Sequence, residues 1–138
     1  MVDDYDVAAA FAKTDLFGSL GKRPLSRLAA AAAVVRHEAG KAIVDQGDDG
    51  VGFHLILDGT ADVEVGGQAR PSLGPGDYFG EISMIDGKPR TAKVTAATDL
   101  TTASLTRWSI RPVFAEEPDV TWALLLDLCT RLRSAEAR

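Results

Sequence analysis

The residues best suited to chemistry lie together in Gly76-Asp77-Tyr78-Phe79-Gly80-Glu81-Ile82-Ser83-Met84-Ile85-Asp86-Gly87-Lys88-Pro89-Arg90-Thr91-Ala92-Lys93-Val94. The order of residue types reads as a glycine turn, a one-turn helix, a loop, and a strand that begins with arginine. Gly80 lets the backbone come close to a ligand. The amides of Ile82, Ser83 and Met84, at the start of a helix, have no acceptor inside it and can serve a small anion. Arg90 follows the loop and can return its guanidinium to the same anion, in the two-pronged geometry that suits phosphate. Glu81 is an acceptor-only carboxylate beside that site, suited to a sugar hydroxyl. An anion cradle with an adjacent hydroxyl-binding acid fits a nucleotide phosphate and its ribose. A plainer arrangement uses the same residues: Glu81 and Arg90 pair with each other and close the loop.

The other chemistry-bearing residues form weaker patterns. His37 and His54 are the two histidines. They fall on different strands, and His54 has no histidine two residues away. A metal-dependent cupin enzyme wants two or three clustered histidines and an acid, so it stands as a distant third reading. Gly47, Gly50 and Gly52 lack the spacing of a dinucleotide fingerprint, and no helix follows them. No Ser-His-Asp arrangement is suggested. Cys129 is the single cysteine, which excludes an internal disulfide or a CxxC-type site and fits a reducing compartment. It reads as a small buried hydrophobe. No catalytic residue, metal ligand or cofactor is expected.

Composition sets the frame around these residues. The chain has 138 residues, 46% hydrophobic and 25% charged, the profile of one globular domain. Fifteen basic against twenty acidic residues give a net charge of −5. That balance argues against nucleic-acid binding, which needs a net basic face, but leaves room for one basic pocket. The first residues, Met1-Val2-Asp3-Asp4-Tyr5-Asp6, are acidic, unlike a secretory leader. The longest apolar runs, 28–35 and 122–126, fall far short of the ~20 residues that span a membrane. A cytoplasmic protein with no membrane or nucleic-acid partner is expected.

The elements that must position the segment follow from the residue pattern. Asp6 to Lys13 is Ala-rich and helical. Pro24 sits well in the first turn of a second helix, whose apolar face is Leu25, Leu28, Ala29 and Ala32. From Val34 the pattern turns to short extended runs with turn signals every eight to twelve residues. Phe53, Leu55 and Leu57 alternate with His54 and Ile56. Asp58-Gly59 signals a hairpin. Ala61, Val63 and Val65 alternate with Asp62 and Glu64 as a half-buried strand. Gly66-Gly67 and Gly74-Pro75-Gly76-Asp77 break the chain, and strands resume over Ala92 to Ala96 and at Ala103 and Leu105. Ser109 is a candidate cap for a short helix ended by Pro118, and Asp119 a candidate cap for a last helix to about Ser134. On that helix Val120, Leu124, Leu128 and, roughly, Arg131 or Leu132 share one side, and Trp122 with Leu124 to Leu126 reads as core. The pattern predicts a mainly β module with flanking helices, an antiparallel β-roll or jelly roll. It divides into helices at about 6–35, a roll at 36–107 and C-terminal helices at 109–134, in one domain over 1–138.

On these residues the chain resembles the cyclic nucleotide-binding domain family. Phe79 to Ile85, then Pro89-Arg90-Thr91-Ala92 and Val94, is similar to that family's phosphate-binding cassette, here 79–94. Weaker matches run in order along the chain: Leu16-Phe17, Gly40, Ile43, Gln46-Gly47-Asp48, Phe53, Gly59 and Gly76-Asp77. The resemblance implies a β-roll closed by a C-terminal lid helix, with cAMP or cGMP as ligand. It places the ribose 2′-hydroxyl on Glu81 with Gly80, and the cyclic phosphate on Arg90 with Ser83, Ile82, Thr91 and Ala92. It lines the base with Val63, Leu73 and Thr91, and brings Arg131 over it from the lid. Lid closure would offer the last helix to a protein partner or a second copy. No helix-turn-helix, kinase, channel or enzymatic domain follows the lid, so the expectation is a free-standing sensor or a fragment of something larger. The competing expectation is a degenerate domain that keeps the fold, has lost its ligand and serves as an interaction module.

Overall fold

The computed structural model describes residues 5–44, 52–88 and 92–137. Two helices come first, α1 (Val7–Ala12) and α2 (Lys22–Ala31). Eight strands follow: β1 (Ala33–His37), β2 (Ala42–Val44), β3 (Gly52–Asp58), β4 (Ala61–Val65), β5 (Gln68–Leu73), β6 (Tyr78–Phe79), β7 (Ala92–Ala96) and β8 (Leu100–Thr106). A short helix, α3 (Glu81–Asp86), lies between β6 and β7, and α4 (Arg107–Glu116) and α5 (Pro118–Glu136) end the chain. The strands pair antiparallel in two four-stranded sheets, ordered β1-β8-β3-β6 and β2-β7-β4-β5. This is the β-roll with flanking helices that the residue pattern predicts.

The two sheets differ in what covers them. Phe53 and Leu55 of β3 and Ala103 and Leu105 of β8 face the helices and join Phe11, Phe17, Leu28, Ile110, Val113, Val120 and Leu124 in the larger core. Ile56 and Leu100 face the inside of the roll and join Ala61, Val94 and Ala96 in the smaller one. Residues 52–56 of β3 are therefore buried without interruption. A strand sandwiched between a roll interior and a helical layer loses its solvent face. β4 keeps one exposed face. Ala61 is buried, Val63 and Val65 are half-buried, and Asp62 and Glu64 are exposed, as its alternation predicts.

Local chemistry shifts several predicted boundaries. β1 begins at Ala33, directly after α2. At the Asp58-Gly59 turn, Gly59 has φ +91° and a Cβ there would collide with the carbonyl of Asp99. The cap of α4 is Thr106, one turn before the expected Ser109. Its hydroxyl accepts from the Ser109 amide at 3.0 Å, and the Ser109 hydroxyl accepts from the Thr106 amide at 2.8 Å. Ser109 is thus the inner half of a capping box. α5 begins at Pro118 itself, with Glu117 as its uncapped flanking residue, so Asp119 lies inside the first turn. Proline does not stop a helix here; it starts one. Glu117 instead pairs with Arg23 at 3.2 Å, and Glu116 with Arg27 at 2.6 Å, which ties α2 to the α4–α5 corner.

Candidate functional site

The site is built where β6, α3 and α5 meet. Tyr78 and Phe79 pair with Leu55 and His54 of β3, which places the end of β6 against the roll. Gly80 then takes φ +88°, a left-handed conformation that turns the chain sharply into α3. Met84 donates its amide to the Gly80 carbonyl at 3.0 Å, closing the first helical turn. Met84 is therefore not a spare donor, contrary to expectation. The amides of Ile82 and Ser83 come before any i−4 acceptor within α3.

Glu81, the first residue of α3, is 5% exposed. Its carboxylate is ion-paired with the guanidinium of Arg131, fifty positions further on in α5. Arg131 also donates through Nε to Asp127 Oδ2 at 3.0 Å, and the Tyr78 hydroxyl donates to Asp127 Oδ1 at 3.4 Å. Four side chains from three elements form one network. Burial pushes the Glu81 carboxyl above the ordinary carboxylate range, and the Arg131 charge only partly offsets it. Burial, reinforced by the Asp127 and Glu81 carboxylates, pushes the Tyr78 hydroxyl up to about 12. The ring stays neutral and acts as a donor to Asp127.

The predicted site residues fall into three groups. Gly80, Glu81, Ile82 and Ser83 come together at the start of α3, with Arg131 ion-paired to Glu81. Val63 and Leu73 are half-buried against the smaller core, beside Ile43 and Phe79, and Ala92 begins β7. Arg90 and Thr91 lie outside the described residues, as do Pro89 and Gln46-Gly47-Asp48. Glu81 pairs with Arg131, and the pairing weighed for it with Arg90 falls outside the described residues. Tyr78 and Asp127 were not singled out by sequence reasoning. The i, i+4 spacing of Asp127 and Arg131 was the available signal, since opposite charges so placed on a helix face each other.

His37 and His54, read as separate, meet inside the roll. His37 Nε2 and His54 Nδ1 lie 3.3 and 3.1 Å from the hydroxyl of Thr102, and the His54 ring stacks on Phe79 with centroids 5.1 Å apart. Burial holds His37 below its ordinary value. Among the described residues no three His, Cys, Asp or Glu side chains are grouped as a metal site would need. No helix of the described residues is long and apolar enough to cross a membrane.

The architecture is a two-sheet roll with a flanking helical layer, a short helix inserted before β7 and a buried carboxylate at that helix's start. Comparison with known proteins gives the family. The model of the cyclic nucleotide-binding domain matches residues 34–117, and the chain belongs to that family. A cAMP-dependent protein kinase regulatory subunit of Aspergillus niger is 35% identical over 107 residues, 76% of this chain and 26% of that protein. The chain thus spans about a quarter of the length of the curated relatives it matches. Among solved structures, the N-terminal domain of a transcriptional regulator from Streptomyces coelicolor A3(2) superposes with a TM-score of 0.81 at 26% identity, over 91% of this chain and 94% of that one. The regulatory domain of Toxoplasma gondii PKA, solved with cAMP, superposes with a TM-score of 0.68 at 26% identity, over 78% of this chain and 42% of that one.

Proposed function

We propose that the chain is a non-catalytic cytoplasmic sensor of a cyclic nucleotide, cAMP or cGMP. The observation that carries this reading is the Glu81 carboxylate, buried at the start of α3 beside a left-handed glycine. A carboxylate is held in so little water only when partners repay its lost hydration. The relatives named above, including a structure solved with cAMP, support the same ligand class. In this reading the ribose hydroxyl donates to Glu81, and the phosphate takes Arg90, Thr91, Ala92 and the amides of Ile82 and Ser83. The base lies toward Val63 and Leu73. The parts given to Arg90 and Thr91 rest on the sequence motif.

The same carboxylate would then serve both the ribose and α5. A ligand moves a helix only by its differential affinity for two arrangements. A ribose hydroxyl on Glu81 changes what Arg131 can bond, so occupancy of the roll is felt at α5, which acts as the lid. The opposing reading, a ligand-free interaction module, draws on the same contact, because the Arg131 ion pair is itself a partner for the buried Glu81.

Titration calorimetry of protein stripped of nucleotide by unfolding and refolding separates the two. One-to-one binding of cAMP or cGMP is expected, and Arg90→Ala should weaken it by more than about 2 kcal/mol, or roughly thirtyfold. No heat and no thermal shift with either nucleotide would leave the interaction module.

A further inference from the structure

The interior of the roll holds two histidines and a hydroxyl in contact, and the proposed sensor uses none of them. They come from β1, β8 and β3, which are neighbours in one sheet. Thr102 is fully buried and His54 is 5% exposed, whereas His37 is half-buried. The Thr102 hydroxyl lies 3.3 Å from His37 Nε2 and 3.1 Å from His54 Nδ1. The two rings stand edge to face, with centroids 5.8 Å apart. The His54 ring also stacks on Phe79, its register partner in β6, and Phe79 directly precedes Gly80 and Glu81.

A hydroxyl carries one hydrogen. It donates to one ring nitrogen and accepts from the other, so the two bonds run in one direction. In the neutral cluster both directions are open: His37 donates to Thr102 and Thr102 to His54, or the reverse. A proton added to His37 removes that choice. Both nitrogens of His37 then carry hydrogen, and Nε2 donates to Thr102. Thr102 in turn donates to His54 Nδ1, which leaves the hydrogen of the neutral His54 ring on Nε2. A second proton, on His54, would set two ring donors against one oxygen. The hydroxyl hydrogen would then have no ring acceptor, and two like charges would share a buried site.

We propose that His37, Thr102 and His54 form a relay that takes up one proton, at His37, and passes the change through the His54 ring to Phe79 and the start of α3. His37 is the entry point because it is the more exposed ring and lines a cavity with Tyr5, Arg36, Glu38, Asp58 and Asp99. Asp99 is held there by the Ala39 amide, which donates to its Oδ1 at 3.0 Å. No described ion pair includes His37. His54 faces His37, Thr102 and Phe79, with Ser104 beside it in register, and the second sheet brings apolar Val63, Leu73, Val94 and Ala96 to the interior. Burial outweighs the nearby carboxylates and holds His37 below its ordinary value. The unfolded chain therefore takes this proton first, and the His37 contribution to stability falls as pH drops through about 6.5.

The inference does not depend on nucleotide binding, and its test is made on the full chain without nucleotide. NMR from about pH 8 down to the onset of acid unfolding reads each imidazole and each amide. His37 should titrate, and the Gly80 amide should shift with the same midpoint. His54 should stay neutral, with its hydrogen on Nε2, until the fold is lost. Thr102→Val removes the hydroxyl, and the Gly80 step should vanish while His37 still titrates. Thr102→Ser keeps the hydroxyl and should keep the step. His37→Gln, at a half-buried position, should abolish it, which separates the relay from titration of the neighbouring Glu81. Two rings titrating in the folded protein overturn the proposal. So does a folded protein in which neither ring titrates, or His54 titrates in place of His37. A Gly80 amide that ignores His37, or a step that persists in Thr102→Val or His37→Gln, overturns it as well.

Discussion

Leu124 and Leu125 are neighbours on one helix, with one side-chain chemistry and opposite environments. Leu124 is 2% exposed and packs in the core, whereas Leu125 is 48% exposed on the outer face of α5. The difference teaches that α5 is bound to its own domain along one stripe only. Its other apolar stripe does nothing for the fold of a single copy. Truncating each leucine is the strongest way to break this comparison. Leu124→Ala should cost about 2–5 kcal/mol, from lost burial and the cavity left behind. Leu125→Ala should stay within about 0.5 kcal/mol in dilute, monomeric protein. Chemical denaturation of both variants measures it, and equal losses would mean that the outer face is packed within one copy.

The two arginines of α5 extend the contrast to charge. Arg133 is exposed, while Arg131 holds the buried Glu81. Breaking a fully buried pair costs about 3–5 kcal/mol. The Arg131 side chain is 47% exposed, so water screens part of the interaction. Arg131→Ala should therefore cost about 1–2 kcal/mol at neutral pH, and Arg133→Ala close to nothing in the monomer. The sign of the pH dependence sharpens the assignment. Burial raises the Glu81 carboxyl in the folded state, so the fold binds this proton more tightly than the unfolded chain does. The contribution of Glu81 to stability falls as pH rises from the ordinary carboxylate range through the raised value. Arg131 normally limits that fall. In Arg131→Ala the fall should be larger and reach higher pH, and Glu81→Gln should abolish it. An Arg131→Ala variant with the wild-type slope would show that the ion pair contributes nothing.

What was legible in the sequence was what is local in the chain. Glycine turn, acid, short helix and strand follow one another in 79–94, and the cassette resemblance needs no knowledge of distant contacts. The alternation of β4 is legible because one face of the strand is exposed, so hydropathy maps directly onto inside and outside. The residue pattern does not show that β3 is covered on both sides, because its second cover, the helical layer, is contributed by residues far away in sequence. α5 failed for the opposite reason. Trp122, Leu125 and Cys129 are apolar but exposed, and apolarity alone does not say which of two stripes meets the core. The Glu81–Arg131 pair was half legible: helical spacing put Arg131 on the side of Val120 and Leu124, but nothing local named its partner.

The smallest effects concern how α4 and α5 start, where the sequence suggests Ser109 and Asp119 as caps. Thr106 and Ser109 satisfy each other's amides in one capping box. Glu117 makes no side-chain cap bond, and Asp119 sits in the first turn of α5. Removing a true cap frees an amide that has no other acceptor, whereas removing a first-turn carboxylate loses only its attraction to the helix dipole. Thr106→Ala should cost about 1 kcal/mol, and Asp119→Ala a few tenths, about 0.3 kcal/mol, in dilute protein. Thermal unfolding of the two variants side by side is sufficient. An Asp119→Ala loss as large as that of Thr106→Ala would return the cap of α5 to Asp119, and with it the reading of Pro118 as a helix stop.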